Sequence, residues 1–238
     1  MSEGPESLAY RLVVFDCDGT LVDSQHAIVT TMTQAFEAAG LPAPDAQAVK
    51  RVVGLSLDAA VAQILLGPQA DQESGDTEQA SRIAQHYREA FLTVRSDPDY
   101  VEPLFPGARE ALEALDRLQV LLGIATGKGR RGLNVTLESH NLAHFFVTLQ
   151  TADVAPGKPH PGMLERAMAE TGAETSETVL VGDTVFDIEM ARKAGVRAVG
   201  VSWGYHEVSE LMASGAHDVI DSFAELVPLL AGRGRESA

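Results

Sequence analysis

The stretch RLVVFDCDGTLVDS, residues 11–24, governs the reading of this chain. It starts as an apolar, β-branched run and ends on two aspartates, Asp16 and Asp18. Gly19 and Thr20 follow at once, and a third acid, Asp23, comes shortly after. A run of this kind forms a buried strand. Carboxylates repel one another and are costly to bury, so a strand that ends on two of them calls for a function. Side chains alternate along a strand, which puts Asp16 and Asp18 on one side and Cys17 on the other, as core filler.

Working outward, short β-branched runs alternate with amphipathic segments. VLLGIATG (120–127), FFVTLQT (145–151), TVLVGD (178–183), VRAVGVS (196–202) and DVI (218–220) read as further strands. GAREALEALDRLQ, GRRGLNVTLESHNL, PGMLERAMAETG and FDIEMARKAG read as the helices between them, with Gly172 and Gly195 placed as helix stops. Strand–helix alternation predicts an α/β fold: a Rossmann-like, doubly wound parallel sheet covered on both faces. From about residue 21 to 100 the rhythm breaks and only helices are predicted, among them AIVTTMTQAFEAAG, DAQAVKRVV, LDAAVAQILLG and DTEQASRIAQHYREAFLTVR. The predicted organisation is a core of residues 1–20 and 101–238 carrying an inserted helical cap domain, residues 21–100. ADQESGDTEQ (70–79) reads as a solvated loop and DPDYVEPLFPG (97–107) as the linker back.

The bulk numbers narrow the function classes. The 238 residues are 45% hydrophobic and 22% charged, an ordinary globular composition, and only 5% are aromatic, so Leu, Val, Ala and Ile must fill the core. The formal net charge of −16 creates a field that repels nucleic acid and promotes solubility. No apolar run approaches the roughly 18 residues of a membrane helix. The start, MSEGPESLAY, lacks a basic region followed by an apolar one, so no signal peptide is expected. Cys17 is the one cysteine, which excludes an internal disulfide and fits a reducing cytoplasm.

In open α/β sheets ligands gather beyond the carboxyl ends of the strands, near the switch point. Asp16, Asp18, Thr126 and Asp183 all fall at predicted strand ends, and Asp187 follows four residues after Asp183. Four carboxylates in one small volume need a cation. Oxygen donors with room for water and a substrate phosphate suit Mg²⁺. Taken singly, each acid also suits a helix cap or a turn, Asp187 most of all. A calcium loop fails on spacing, because Gly19 stands fourth rather than sixth from Asp16, and GIATGKG (123–129) misses the P-loop spacing. The hydroxyl of Thr126 and the turn at Gly127 can still donate to a phosphate oxygen. Lys158 sits in APGKPHPG, between prolines that stiffen its loop. His140, His144 and His160 lack the spacing of a shared metal site.

DCDGT, ATGK, GKPHP and GDTVFD stand in the order of the four motifs of the haloacid dehalogenase superfamily. The chain resembles that superfamily over nearly its whole length. The helical insertion looks like its C1-type cap. FDCDGTLVDS and GVSWGYH (200–206) look like the phosphoglycolate-phosphatase-like group. The resemblance implies a phosphatase in which Asp16 is the nucleophile and Asp18 the general acid and base. It implies magnesium held by the Asp16 side chain, the Asp18 carbonyl and Asp183, with Asp187 a direct or outer support. Thr126, Gly127 and Lys158 would then clamp the phosphoryl group. Asp18 argues against true dehalogenases, which lack it, and Thr20 fits phosphatases better than the β-phosphoglucomutase branch.

The partner implied is a small phosphorylated metabolite, with no nucleic acid and no membrane. KRVVGLSL (50–57) resembles the cap specificity loop, with its glycine as Gly54. Arg51 stands where a phosphonatase would carry a Schiff-base lysine, and it is expected to hold a substrate carboxylate, as in 2-phosphoglycolate. Trp203, between Gly200 and Gly204, is expected near the back of the sheet with no catalytic role. Two other readings stay open: a sugar-phosphate phosphomutase with the same chemistry, and a non-catalytic binding protein on the same scaffold.

Overall fold

The structure is a computed structural model that describes residues 8–67, 78–95, 100 and 102–232. The expected loop at 70–79 lies almost wholly outside these residues, and the expected linker at 97–107 lies partly outside them. The chain runs through β1 (Leu12–Phe15), α1 (Gln25–Ala38), α2 (Ala46–Arg51), α3 (Leu57–Leu66) and α4 (Glu78–Arg95). It continues through α5 (Ala108–Arg117), β2 (Leu121–Thr126), α6 (Arg130–Ser139), β3 (Phe146–Thr151) and α7 (Gly162–Thr171). The last part holds β4 (Thr178–Gly182), α8 (Val185–Ala194), β5 (Arg197–Val201), α9 (Val208–Ala213), β6 (Asp218–Ile220) and α10 (Leu226–Gly232).

The strands form one parallel, six-stranded sheet in the order β3-β2-β1-β4-β5-β6. This is the doubly wound order, and its switch point lies between β1 and β4. Alternation explains why both faces are covered. Val13, Phe15 and Cys17 point to one face, where Leu112, Leu115, Leu133, Phe223 and Leu226 pack. Leu12 and Val14 point to the other, against Met163, Leu164, Ile188, Ala191 and Leu211. Each fully buried Leu or Ile contributes about 1.5–3 kcal/mol relative to exposure, so a strand apolar on both faces is held firmly. Cys17 lies buried in the first of these layers, opposite its acidic neighbours.

Helices α1–α4 gather around a separate apolar cluster that includes Met32, Phe36, Val49, Val61 and Ile83. The chain leaves and rejoins the sheet side by side. Asp23 N donates to Pro103 O at 2.8 Å and Phe105 N to Leu21 O at 3.0 Å. A smaller cluster of Val52, Leu55, Ala59 and Ala60 touches Phe186 of α8, so the inserted helices rest on the strand ends. Among the described residues no helix is long and apolar enough to cross a membrane. The short helices α9 and α10 were not expected from the sequence; each buries only one narrow apolar edge, through Leu211 and through Leu226 and Leu230.

Candidate active site

Asp16 extends β1, and its N–H still donates to Val181 O at 2.9 Å. Its carboxylate is therefore aimed by the sheet itself. The Lys158 ammonium stands 2.8 Å from Asp16 Oδ1 and 2.6 Å from Asp187 Oδ1, ion pairs at angles short of good hydrogen bonds. The second oxygen, Asp16 Oδ2, is buried with no hydrogen-bond partner among the described residues. Burial, only partly countered by Lys158 and reinforced by Asp187, pushes the Asp16 carboxyl up to about 7. The same two aspartates pull the Lys158 ammonium above its ordinary range although burial acts against them.

Asp183 follows β4 and is fully buried. Thr20 Oγ1 donates to its Oδ1 at 2.8 Å and Tyr205 N to its Oδ2 at 2.9 Å. Burial, then repulsion from Asp16 and Asp187, pushes its carboxyl well above the usual range. Gly19 is required beside it: φ is +87°, and a Cβ there would lie 2.3 Å from Asp183 Oδ2. Asp187 both caps a helix and faces the cluster. Thr184 N and Oγ1 donate to its Oδ2 at 3.1 and 2.6 Å, closing a capping box at the start of α8, while Oδ1 faces Lys158. Ligand oxygens of Asp16, Asp183 and Asp187 lie within 4.8 Å of one another.

The Asp18 side chain goes elsewhere. Its Oδ1 accepts from Lys128 Nζ at 2.6 Å, and the same ammonium reaches Glu102 Oε1 at 3.1 Å. Thr126 is buried at the end of β2, next to β1, and its Oγ1 accepts from Lys128 N at 3.1 Å. Gly127 meets the inserted helices: a Cβ there would lie 2.2 Å from Leu55 O, so only glycine lets the 54–56 loop close over this turn.

One expectation needs correction, and another residue meets a partner the sequence did not suggest. Arg51, expected to hold a substrate carboxylate, here has both its terminal nitrogens on Glu210 of α9, at 2.6 and 2.8 Å. The physical reason is a carboxylate 159 residues away, brought close where α2 meets α9. Trp203 is not at the back of the sheet. Its indole N–H donates to Thr20 O at 3.2 Å, and its ring packs between Phe105 and Phe223 beside the loop that follows β1. Sequence reasoning also passed over Lys128, although it stands within the quoted ATGK, and Glu102, whose surroundings carry no local signal. The Tyr205 amide, inside GVSWGYH, went unnoticed because a backbone donor has no residue signature.

A sequence model of the haloacid dehalogenase-like hydrolase family matches residues 13–201. A relative from Dickeya dadantii, named probable phosphatase IndB, is 36% identical over 217 residues, 91% of each chain. A phosphoglycolate phosphatase of Vibrio parahaemolyticus is 31% identical, over 93% of this chain and 96% of its own. Among solved structures, a hydrolase from Pseudomonas syringae superposes with a TM-score of 0.79 at 27% identity, covering 93% of this chain and 98% of the other. With the acids gathered at the switch point of a doubly wound sheet and a family match across most of the chain, the protein belongs to the haloacid dehalogenase-like hydrolases.

Proposed function

We propose that the protein is a magnesium-dependent phosphatase that hydrolyses a small phosphorylated metabolite through an aspartyl-phosphate, with 2-phosphoglycolate the first candidate. One observation carries this reading: a buried Asp16 carboxylate whose Oδ2 has no hydrogen-bond partner among the described residues, in a cluster of three carboxylates and one ammonium. Such an excess of buried negative charge suits a small divalent cation with oxygen ligands. Asp16, Asp183 and the Asp18 carbonyl would hold the ion, with Asp187 a direct or supporting neighbour. When bound, Mg²⁺ neutralises charge on the transferring phosphoryl group and on the cluster. The names of the curated relatives support a phosphate ester as substrate.

The remaining steps belong to the chain. Asp16 attacks phosphorus in line, forming the Asp16 O–P bond as the bond from phosphorus to the leaving oxygen breaks. Asp18 gives that oxygen a proton, then takes one from the water that attacks the aspartyl-phosphate and frees inorganic phosphate. Thr126, the Gly127 amide and Lys158 hold the phosphoryl oxygens, and Lys158 relaxes from Asp187 toward them. Closure of the 54–56 loop over Gly127 excludes bulk water.

The test is a screen of phosphate release across phosphometabolites, with magnesium and with EDTA. Turnover is expected with magnesium alone, and Asp16→Asn is expected to lose at least a thousand-fold in kcat, about 4 kcal/mol. Full turnover in EDTA, or Asp16→Asn retaining more than about a tenth of the rate, would overturn the reading.

A further inference from the structure

Lys128 is a buried ammonium outside the phosphoryl cluster, and its side chain is only 6% exposed. It bridges Asp18 Oδ1 at 2.6 Å and Glu102 Oε1 at 3.1 Å. Glu102 is itself fixed on every side. Arg95 Nη2 donates to its Oε2 at 2.6 Å, Thr136 Oγ1 to the same oxygen at 2.9 Å, and its carbonyl meets His140 Nε2 at 2.7 Å. Arg95 is the last residue of α4, and it also donates to Gly132 O of α6 at 3.0 Å. The rings of Phe91 and Tyr100 lie against the Arg95 guanidinium at 4.9 and 5.7 Å. Charges alternate along the chain Asp18–Lys128–Glu102–Arg95, and all four are mostly buried.

A carboxylic acid that must deliver a proton needs one oxygen fixed and the other free. An ammonium can only donate, so a carboxyl bound to Lys128 through Oδ1 carries any proton on Oδ2. Among the described residues no hydrogen bond occupies Asp18 Oδ2. A carboxylate on a loop would otherwise sample several rotamers, and small misplacements of a proton donor are costly in rate.

Building on the function proposed above, we infer that Lys128 is the positioning residue for Asp18: clamped between Asp18 and Glu102, it makes Oδ2 the oxygen that serves the leaving group, and Glu102 with Arg95 anchors the clamp to α4. The acid is then set by the inserted helices as well as by the sheet. This role is separate from the one proposed above for Thr126, Gly127 and Lys158.

The experiment measures kcat/KM for 4-nitrophenyl phosphate, phenyl phosphate and an alkyl phosphate. The enzymes are wild type, Lys128→Met, Glu102→Gln, Asp18→Asn and the double variant Lys128→Met with Asp18→Asn. The nitrophenolate leaves readily without a proton, whereas phenolate and alkoxide depend on one. The loss in Lys128→Met should be at least ten-fold greater on phenyl than on 4-nitrophenyl phosphate, and greater again on the alkyl ester. The double variant should fall within three-fold of Asp18→Asn alone, because a positioner has nothing left to position. If Lys128→Met fails to fold, Glu102→Gln, which keeps volume and Lys128, carries the same comparison with at least a three-fold difference. Equal losses across the three esters, or additive losses in the double variant, would overturn the inference. Should Asp18→Asn itself show no leaving-group dependence, its role as acid in the proposed mechanism fails and the inference falls with it. A steep Asp18→Asn beside a flat Lys128→Met rejects the inference alone.

Discussion

The molecule buries two charged clusters a few residues apart, and they are built on different rules. At the switch point, Asp16, Asp183 and Asp187 share one ammonium, Lys158, and an Asp16 oxygen has no partner among the described residues. Beside it, Asp18 and Glu102 are matched by Lys128 and Arg95, and the contacts of Glu102 are saturated. Burial penalises charge in both. In the first cluster it prevails, and Asp16 and Asp183 are pushed up. In the second it is outweighed: burial raises the Glu102 carboxyl, yet Lys128 and Arg95 bring it below its ordinary range. The first arrangement is short of positive charge and suits an external cation. The second is complete and suits holding a side chain still. Removing one carboxylate from each should therefore change stability in opposite directions.

The larger effect belongs to the balanced cluster. Glu102→Gln leaves Lys128 and Arg95 sharing one carboxylate fewer, so unfolding free energy should fall by about 3 kcal/mol, the lower end for breaking a buried pair. Its pH signature follows from the sign of the shift. A carboxyl lowered in the fold adds stability above its unfolded value, 4.5 for glutamate, and that stability is lost as pH falls through the folded value. Wild type should thus lose stability below pH 4.5 more steeply than Glu102→Gln. Urea melts at several pH values measure both quantities. A variant as stable as wild type, with the same acid limb, would show that this cluster is not balanced as described.

Asp183→Asn should act the other way in metal-free protein. It removes one of three mutually repelling carboxylates, and the hydrogen bonds can survive. Tyr205 N can donate to the amide oxygen, while the Thr20 hydroxyl rotates to accept from the amide nitrogen. Melting in EDTA should rise, by up to about 1 kcal/mol. Wild type should instead gain when magnesium is added, by about 2.7 kcal/mol at a hundred times the dissociation constant, and Asp183→Asn should lose most of that gain. A variant that melts lower in EDTA and still responds fully to magnesium would break the contrast between the clusters.

These contrasts also show what the sequence could disclose. The sheet was legible because its central strands are short apolar runs buried on both faces, a pattern carried by a few consecutive residues. The meeting of Asp16, Asp183 and Lys158 was legible because each lies at or near a strand end or in a stiffened loop, and the doubly wound order brings those points together. Glu102 was not, since its partners Arg95, Lys128 and Thr136 come from α4, the turn after β2, and α6. Nothing in VEPLFPG marks a buried acid. The Arg51 contact was hidden for a related reason: a residue type can suggest a carboxylate partner, but only the fold brings Glu210 to it.

The Arg51–Glu210 pair supplies the smallest expected effect. Arg51 and Glu210 form a bidentate pair, yet the Arg51 side chain is 49% exposed. Exposed pairs contribute little, because water screens them and both side chains lose freedom. Arg51→Ala should cost about 0.5 kcal/mol of stability. We expect the pair with Glu210 to persist when substrate binds, so selectivity should hold. The loss in kcat/KM on 2-phosphoglycolate should match that on 4-nitrophenyl phosphate within about three-fold, under 0.7 kcal/mol of transition-state stabilisation. Glu210→Gln gives the converse control, since it weakens the pair while leaving Arg51 in place. If Arg51→Ala loses ten-fold or more on the carboxylated substrate alone, Arg51 leaves Glu210 when substrate binds, and the pair seen here is a resting contact that the substrate replaces.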